Sequence, residues 1–221
     1  MRVLAFDTSG AGCAAAVLSD GVVLAHRAEI LGRGHAERIM PMIREVMQEA
    51  DVAPRALDLL GVTTGPGAFT GLRIGLAAAR GLALATGVPA LGITSFDTLA
   101  SEVPPDARRG RHLVVAIDSK REAPFLALYD ETGCSPLKAA PVLPSDWSAW
   151  LPDAPLLLIG DAAAQLMEGL PGRDAEAVGL RLPAAPVVAR LAEAKWRGGE
   201  HPPPRPLYLR AADTTMPRGK T

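Results

Sequence analysis

The stretch "TTGPGAFTGLRIGLAAARG", residues Thr63 to Gly81, carries the chain from a predicted strand into a predicted helix and decides the fold class. The apolar segment 57–64 has the composition of a buried strand. The segment 70–87 has helical spacing, with Thr70 as the expected N-cap and Gly87 at the expected end. A strand that leads through a short loop into a helix is the repeating unit of an α/β fold.

The segments on either side extend this pattern into a complete lobe. Asp20-Gly21 separates two apolar runs, which predicts a hairpin after a first strand at 3–6. Residues 34–50 have helical periodicity, and Thr94 opens a third helix after a strand at 90–94. The predicted order is βββαβαβα, in which a hairpin sheet is continued by parallel strands and crossover helices.

The second half is predicted to form a reduced version of the first. A proline- and arginine-rich link at 103–111 indicates a boundary between a first lobe, 1–104, and a second lobe, 105–221. The last helix and the tail are candidates for packing back on the first lobe. The predicted elements are strands at 112–118, 124–130 and 156–160, helices at 161–170 and 185–199, and an extended connector at 201–206.

The composition favours a cytoplasmic protein without a membrane anchor. The 221 residues are 48% hydrophobic, and no apolar run reaches the roughly 20 residues of a membrane span. The net charge of −1 provides no overall field for nucleic acid, so any such contact needs a local patch. Cys13 and Cys134 have no metal-binding spacing, and the N-terminus lacks the pattern of a secretory leader.

The glycine-rich loop has two interpretations at this stage. It lacks the Gly-Lys-Ser/Thr of a Walker loop, and it does not fit the glycine spacing of a dinucleotide fingerprint. Backbone amides beside Thr70 and Arg73 can still hold an anion at a helix start. The structural alternative is a tight turn at Gly65-Pro66-Gly67, followed by close helix packing at Gly71, Gly75 and Gly81.

Two helices carry more apolar surface than one core requires. The 70–87 helix has only two charged residues, and three of the six methionines fall within the 34–50 helix. Because methionine suits adaptable contact surfaces, this excess predicts a helix-on-helix interface with a partner, although a methionine is more often plain core. The predicted partner-binding residues are His35, Ile39, Met40, Met42, Ile43, Val46, Met47, Leu72, Arg73, Leu76 and Arg80.

Polar residues at two strand ends form a weaker candidate site. Asp7 and Asp118 each end the first strand of a lobe, where a carboxylate either caps a turn or reaches a cleft and holds magnesium through water. The candidate nucleotide or anion site comprises Asp7, Thr8, Ser9, Thr70 and Asp118. The four histidines lack metal-ligand spacing, so no metal site is predicted. Two modest basic clusters are interpreted as solvated surface or as a minor RNA contact. They comprise Arg108, Arg109 and Arg111 in the link and Arg205, Arg210, Arg218 and Lys220 in the tail.

Several of these segments together resemble the bacterial TsaB (YeaZ) family. The resemblance rests on "LAFDTSGAGCAAAVLSDG", "GHAERIMPMI", "TGPGAFTGLRIGLAAARGLA", "IDSKREAPFLALYD" and "PLYLR", in that order. It implies a two-lobed fold related to actin and sugar kinases (ribonuclease-H-like). It also implies a role in making threonylcarbamoyladenosine (t6A) next to the anticodon of tRNA, with the early helices packed against those of a catalytic paralogue, TsaD.

The resemblance further implies a supporting subunit without catalytic residues. The catalytic paralogue carries a metal-binding His-x-x-x-His, and the equivalent segment "ITSFDTLA" places Ser95 and Leu99 at those positions. A hydroxyl and an alkyl group cannot replace two imidazoles on a metal. The implied partners are TsaD, the ATPase TsaE, tRNA indirectly through the complex, and a second copy of the chain when TsaD is absent.

Two other functions remain open from the residues. One is a small magnesium-dependent ATPase or kinase that uses Asp7 and Asp118. The second is a metallopeptidase, which comes from the resemblance alone, because relatives have carried that label, and the missing ligand pair argues against it. No cofactor is firmly indicated, and weak binding of a nucleotide or magnesium is left open. The kinase alternative predicts that Asp7→Asn abolishes turnover, whereas the metallopeptidase alternative predicts bound zinc.

Overall fold

The computed structural model describes residues 1–130, 135–179 and 182–210. Cys134, Arg218 and Lys220, which entered the sequence predictions, lie outside these residues. The first half comprises β1 (Arg2–Asp7), β2 (Gly12–Ser19), β3 (Val22–Ile30), α1 (His35–Glu49), β4 (Leu59–Thr63), α2 (Phe69–Thr86), β5 (Ala90–Ile93) and α3 (Ser95–Ser101). The second half comprises α4 (Pro105–Arg108), β6 (His112–Ile117), β7 (Phe125–Tyr129), β8 (Pro136–Pro141), α5 (Trp147–Trp150), β9 (Leu156–Ile159), α6 (Ala163–Glu168), β10 (Ala175–Val178) and α7 (Ala185–Arg197).

The two halves form two five-stranded sheets with the same connectivity. The first sheet has the order β3-β2-β1-β4-β5 and the second the order β10-β9-β6-β7-β8. In each sheet the central strand pairs antiparallel with the next strand in sequence and parallel with the fourth strand of its sheet. The predicted α/β fold and the βββαβαβα order are confirmed, whereas the boundary at 104 stays a prediction.

The first sheet buries both of its faces, as alternating side chains of a central strand require. Leu4 and Phe6 of β1 point into a core shared with α1 and α2. Val3 and Ala5 point to the opposite face, where they pack against α7. The last helix therefore packs on the first sheet although it follows the second sheet in sequence.

The second sheet receives a helix from the first half in return. Phe96 and Leu99 of α3 pack against Leu113 and Val115 of β6. The opposite face is covered by α5 and α6, with Trp147 and Leu166 buried in that core. Because α3 and α7 also contact each other, both helices lie between the two sheets and join the lobes.

Three sequence expectations need correction. Thr70 is not the N-cap of α2: the cap is Ala68, whose amide donates to the carbonyl of Ser9 at 2.7 Å and so sets the helix start. Two strands were also missed, because β8 is an exposed edge without an apolar run and β10, Ala-Glu-Ala-Val, is interrupted by an exposed glutamate. None of the helices in the described part of the chain combines the length and apolarity that a bilayer crossing requires.

Candidate functional site

The glycine-rich loop packs directly onto the loop that follows β1. A Cβ added at Gly67, Gly71 or Gly75 would lie well under 3.0 Å from atoms of Thr8 or Ser9, a separation that real Cβ atoms do not show. The Thr8 hydroxyl also donates to the carbonyl oxygen of Gly71 at 2.7 Å. These three glycines therefore permit close backbone approach, as the structural alternative predicted.

Gly81 does not share this role, which corrects the expectation for that position. It is exposed on α2, and a Cβ there would meet nothing within 4 Å. Thr70 is likewise exposed in the first turn of α2. The close packing of the loop therefore ends within the first two turns of the helix.

Asp7 is held by the turn that follows β1. Its Oδ1 atom accepts hydrogen bonds from the Ser9 amide at 3.0 Å, the Ser9 hydroxyl at 2.6 Å and the Thr63 hydroxyl at 2.5 Å. Only 2% of Asp7 is exposed, and burial raises the pKa of its carboxyl despite these bonds. This arrangement corresponds to the turn-capping alternative for Asp7.

A cavity of about 310 Å³ lies where the two lobes meet. Its polar lining includes Asp118, whose Oδ2 atom lies 2.7 Å from Nζ of Lys120, and Asp161, which accepts from the Asp118 amide at 2.7 Å. Partial burial raises the pKa of Asp118, but the hydrogen bonds from Lys120 outweigh it and hold that pKa below its usual range. Burial raises the pKa of Asp161. In this cavity Asp118 is thus paired with the Lys120 ammonium group, and Asp161 is held by the backbone amide of Asp118.

The same cavity shows what occupies the positions assigned to metal ligands in the paralogue. Ser95 donates its hydroxyl to Ser9 at 3.2 Å, and Leu99 is buried in the core below the second sheet. His35 contacts the carbonyl oxygen of Gly10 at 3.2 Å. Within residues 1–130, 135–179 and 182–210, no three His, Cys, Asp or Glu side chains are grouped so that they could hold a metal ion.

Most of the predicted partner-binding side chains are buried in the chain's own core. These side chains stabilise the chain's own core in this structure, and their contact with a partner stays a prediction. The buried residues are Ile39, Met42, Ile43, Val46, Met47, Leu72 and Leu76. Of the three methionines in the predicted set, Met40 is exposed, with 45% of it accessible.

The outer face of α1 and α2 carries residues that the sequence analysis did not select. Leu84 is 90% exposed and Phe69 is 47% exposed, and both lie on α2. Their spacing to Arg73 and Ala77, which are also exposed, follows successive helical turns and indicates one face. This spacing was visible in the sequence, but the inner and outer faces of so apolar a helix could not be told apart.

The predicted contact residues Arg73 and Arg80 touch the segment that follows α7. Arg73 Nε donates to the hydroxyl of Tyr208 at 3.3 Å, and Arg80 donates to the carbonyl oxygen of Pro204 at 3.3 Å. The amide of Leu207 donates to the Thr64 carbonyl at 2.8 Å. The segment 201–210 therefore runs along the glycine-rich loop and α2.

Known proteins share both sequence and structure with this chain. Residues 25–140 match the family model "TsaD: tRNA N6-adenosine threonylcarbamoyltransferase". "tRNA threonylcarbamoyladenosine biosynthesis protein TsaB" of Bacillus subtilis is 32% identical over 72% of this chain and 71% of its own length. The chain belongs to the TsaB (YeaZ) family.

Other members of the TsaB (YeaZ) family agree with this assignment. The Escherichia coli protein of the same name is 36% identical over 60% of this chain, and the match spans 58% of the Escherichia coli protein. The solved structure "YeaZ from Pseudomonas aeruginosa" superimposes with a TM-score of 0.81 at 30% identity, covering 94% of this chain and 99% of that one. A hexokinase from Thermus thermophilus, at 16% identity and a TM-score of 0.50, shares the fold alone.

Proposed function

We propose that this chain is a non-catalytic supporting subunit in t6A modification of tRNA, next to the anticodon. In this role it binds a TsaD-like catalytic paralogue, and a TsaE-like ATPase joins the complex. Membership of the TsaB family supports the pathway, because relatives at 32–36% identity are named t6A biosynthesis proteins. TsaD-family similarity over residues 25–140 supports a common origin with the catalytic paralogue.

The observation that carries the proposal is the exposed face shared by α1 and α2. These helices lie side by side on one face of the first sheet. A groove of about 490 Å³ beside them is lined by Met40, Met47 and Leu82. Leu84 projects from α2 almost fully exposed. Apolar groups in such a position favour burial against another helical pair, and a paralogue with equivalent helices supplies one.

The two carboxylates of the kinase alternative favour a supporting rather than a catalytic role. Asp7, which the kinase alternative requires as a magnesium ligand, is 2% exposed and accepts three hydrogen bonds through one oxygen. Asp118 is paired with Lys120 at 2.7 Å. Both carboxylates therefore have structural partners that a magnesium-dependent reaction would have to displace.

The test is complex formation with the TsaD-like protein of the same genome, measured by size-exclusion chromatography with light scattering. We expect the wild-type chain to form a heterodimer, and a Met40→Asp, Leu84→Asp double variant to lose it. Leu137→Asp is the matched control, because Leu137 is 58% exposed on β8 of the other sheet. These variants replace exposed side chains, whereas charges at the buried Met42 or Leu76 would disrupt the core.

The same experiment separates the alternatives. A complex that survives the double variant would contradict the proposed interface. No complex under any condition, together with ATP hydrolysis by the chain alone that Asp7→Asn abolishes, would favour the kinase alternative. In the absence of the paralogue, we expect wild-type homodimers at high micromolar concentration and monomers of the double variant.

A further inference from the structure

A second groove, of about 550 Å³, lies at the start of α2 on the side of the second lobe. It is formed by the first turns of α2, the loop after β6 and the segment 207–210. Among the described residues that line it there is no carboxylate, whereas four side chains are cationic: Arg73, Lys120, Arg121 and Arg210. Since the whole chain has a net charge of −1, this groove is a local concentration of positive charge.

Two exposed aromatic side chains lie in the same groove. The rings of Phe69 and Tyr208 have centroids 5.6 Å apart, and 47% and 48% of these residues are exposed. The other seven Phe, Tyr and Trp residues of the chain are buried or half-buried. A protein with few aromatic residues has thus left two of them at the surface, beside its cations.

Arg73 joins the aromatic pair to the charged surface. Its Cζ atom lies 3.7 Å above the centre of the Phe69 ring, and its Nε donates to the hydroxyl of Tyr208. Stacking on Phe69 fixes the plane of the guanidinium, which prepares its remaining N–H groups for a phosphate. Lys120, in the loop after β6, also lines the groove, and its pairing with Asp118 holds it in place.

We propose that this groove binds a single-stranded segment of RNA. Exposed rings accept an unstacked base, and cations from three chain segments accept consecutive phosphates. The cations come from three separate chain segments that line one groove, which suits several phosphates of a strand better than a free nucleotide. The inference rests on the proposed function, which supplies tRNA as the source of the RNA. It deepens that function by adding a direct contact between this chain and the tRNA.

The experiment measures binding of a labelled single-stranded oligoribonucleotide to the full isolated chain over a series of salt concentrations. An oligomer of about ten nucleotides lies within the range of about 4–16 nucleotides that single-strand-binding folds occupy. We expect Arg73→Gln and Arg210→Gln each to reduce the slope of log K against log salt by about 0.7, the contribution of one phosphate contact to a single strand. Arg55→Gln, an exposed arginine remote from the groove in sequence, is the control and leaves the slope unchanged.

The aromatic pair is tested separately from the charges. Phe69→Leu and Tyr208→Leu are expected to weaken binding about tenfold with a smaller change of slope than the arginine variants cause, because stacking itself releases no counterions and Arg73 keeps its charge. Circular dichroism confirms that each variant is folded. An unaltered slope in both arginine variants would overturn the proposal. So would equal binding of duplex RNA, or displacement of the oligomer by ATP at an equal nucleotide concentration, which would assign the groove to a free nucleotide.

RNA binding by the isolated chain and complex formation with the TsaD-like paralogue are measured separately, so the two proposals can fail separately. If the wild-type chain forms the heterodimer but binds no RNA, the RNA groove alone is rejected. Retained RNA binding in a chain that forms no heterodimer would instead reject the proposed function.

Discussion

Thr8 and Gly71 join the first loop of the chain to the first turn of α2 through two contacts. The Thr8 hydroxyl donates to the Gly71 carbonyl at 2.7 Å, and the Thr8 carbonyl occupies the space that a Cβ at position 71 would need. The glycine at 71 is therefore required by a neighbour 63 residues away in sequence. The glycine-rich loop, which has the composition of an anion cradle, places α2 against the turn that holds Asp7.

We predict opposite effects for two glycines of α2. Gly71→Ala forces a Cβ against the Thr8 backbone and is expected to lower the free energy of unfolding by about 1–3 kcal/mol, the usual cost of overpacking. A Cβ at position 81 meets nothing within 4 Å. Gly81→Ala is therefore expected to raise the free energy of unfolding by about 0.5–1 kcal/mol, since alanine favours a helix. Urea denaturation of both variants checks this. Equal effects at the two positions would contradict the packing role.

Thr94 and Thr70 were both predicted as N-caps, and the structure confirms the first of them alone. The Thr94 hydroxyl accepts from the Asp97 amide at 2.9 Å at the start of α3, whereas Thr70 is exposed inside α2. Thr94→Ala is expected to cost about 1 kcal/mol, and Thr70→Ala less than about 0.5 kcal/mol. Thermal unfolding of both variants under the same conditions measures the difference. A larger effect at Thr70 would restore it as the cap.

The buried carboxyl of Asp7 predicts a distinct dependence of stability on pH. Burial raises its pKa above the ordinary value of 3.8, so the folded protein binds this proton more tightly than the unfolded chain. The contribution of Asp7 to stability is therefore present below 3.8 and is lost as pH rises through the raised pKa. Asp7→Asn keeps an acceptor for Ser9 and Thr63 and has no charge to bury.

The measurement is the difference in free energy of unfolding between Asp7→Asn and wild type across acidic and neutral pH. We expect the variant to become increasingly more stable than wild type as pH rises from about 4, because wild type must then ionise a buried carboxyl. The other titrating groups are the same in both proteins and cancel in the difference. A difference that stays constant with pH would show that Asp7 is not protonated more readily in the folded state.

The ion pairs of Arg38 predict the opposite dependence on pH. The Nη2 atom of Arg38 lies 2.5 Å from Oε1 of Glu29 in β3, and its Nη1 atom lies 2.8 Å from Oε1 of Glu45 in α1. Hydrogen bonds from Arg38 hold the pKa of both carboxyls below the ordinary value of 4.5. This stabilisation is present above 4.5 and is lost as pH falls through the lowered pKa values.

Arg38→Gln is therefore expected to lower the melting temperature at neutral pH and low salt. The loss is expected to shrink at pH 3 and in 1 M salt, where protonation or screening removes the interaction from wild type as well. Arg55→Gln is the control for the loss of one exposed positive charge. A loss that is equal at low and high salt would indicate that Arg38 stabilises the fold by packing alone.

Local elements of the fold could be predicted because their causes lie within a few residues. Asp20 and Gly21 have φ of 47° and 80° in the hairpin, and Gly87 has φ of 74° after α2, as their residue types favour. The exposed side of α2 could not be predicted in the same way. Leu76 and Leu84 have the same chemistry on one helix, yet 3% of the first and 90% of the second is exposed.

The sequence by itself determined the element order of the first half, the hairpin turn, the cap of α3, the α/β class and the family, because these depend on short-range residue patterns. Only the tertiary structure decided that Thr8 and Ser9 require the glycines of α2, and that α3 and α7 each pack between the two sheets. It also brought Arg73 to Tyr208, 135 residues later in the chain, to form the cationic groove. Such pairings follow from how distant segments close around shared cores, and no local pattern encodes them.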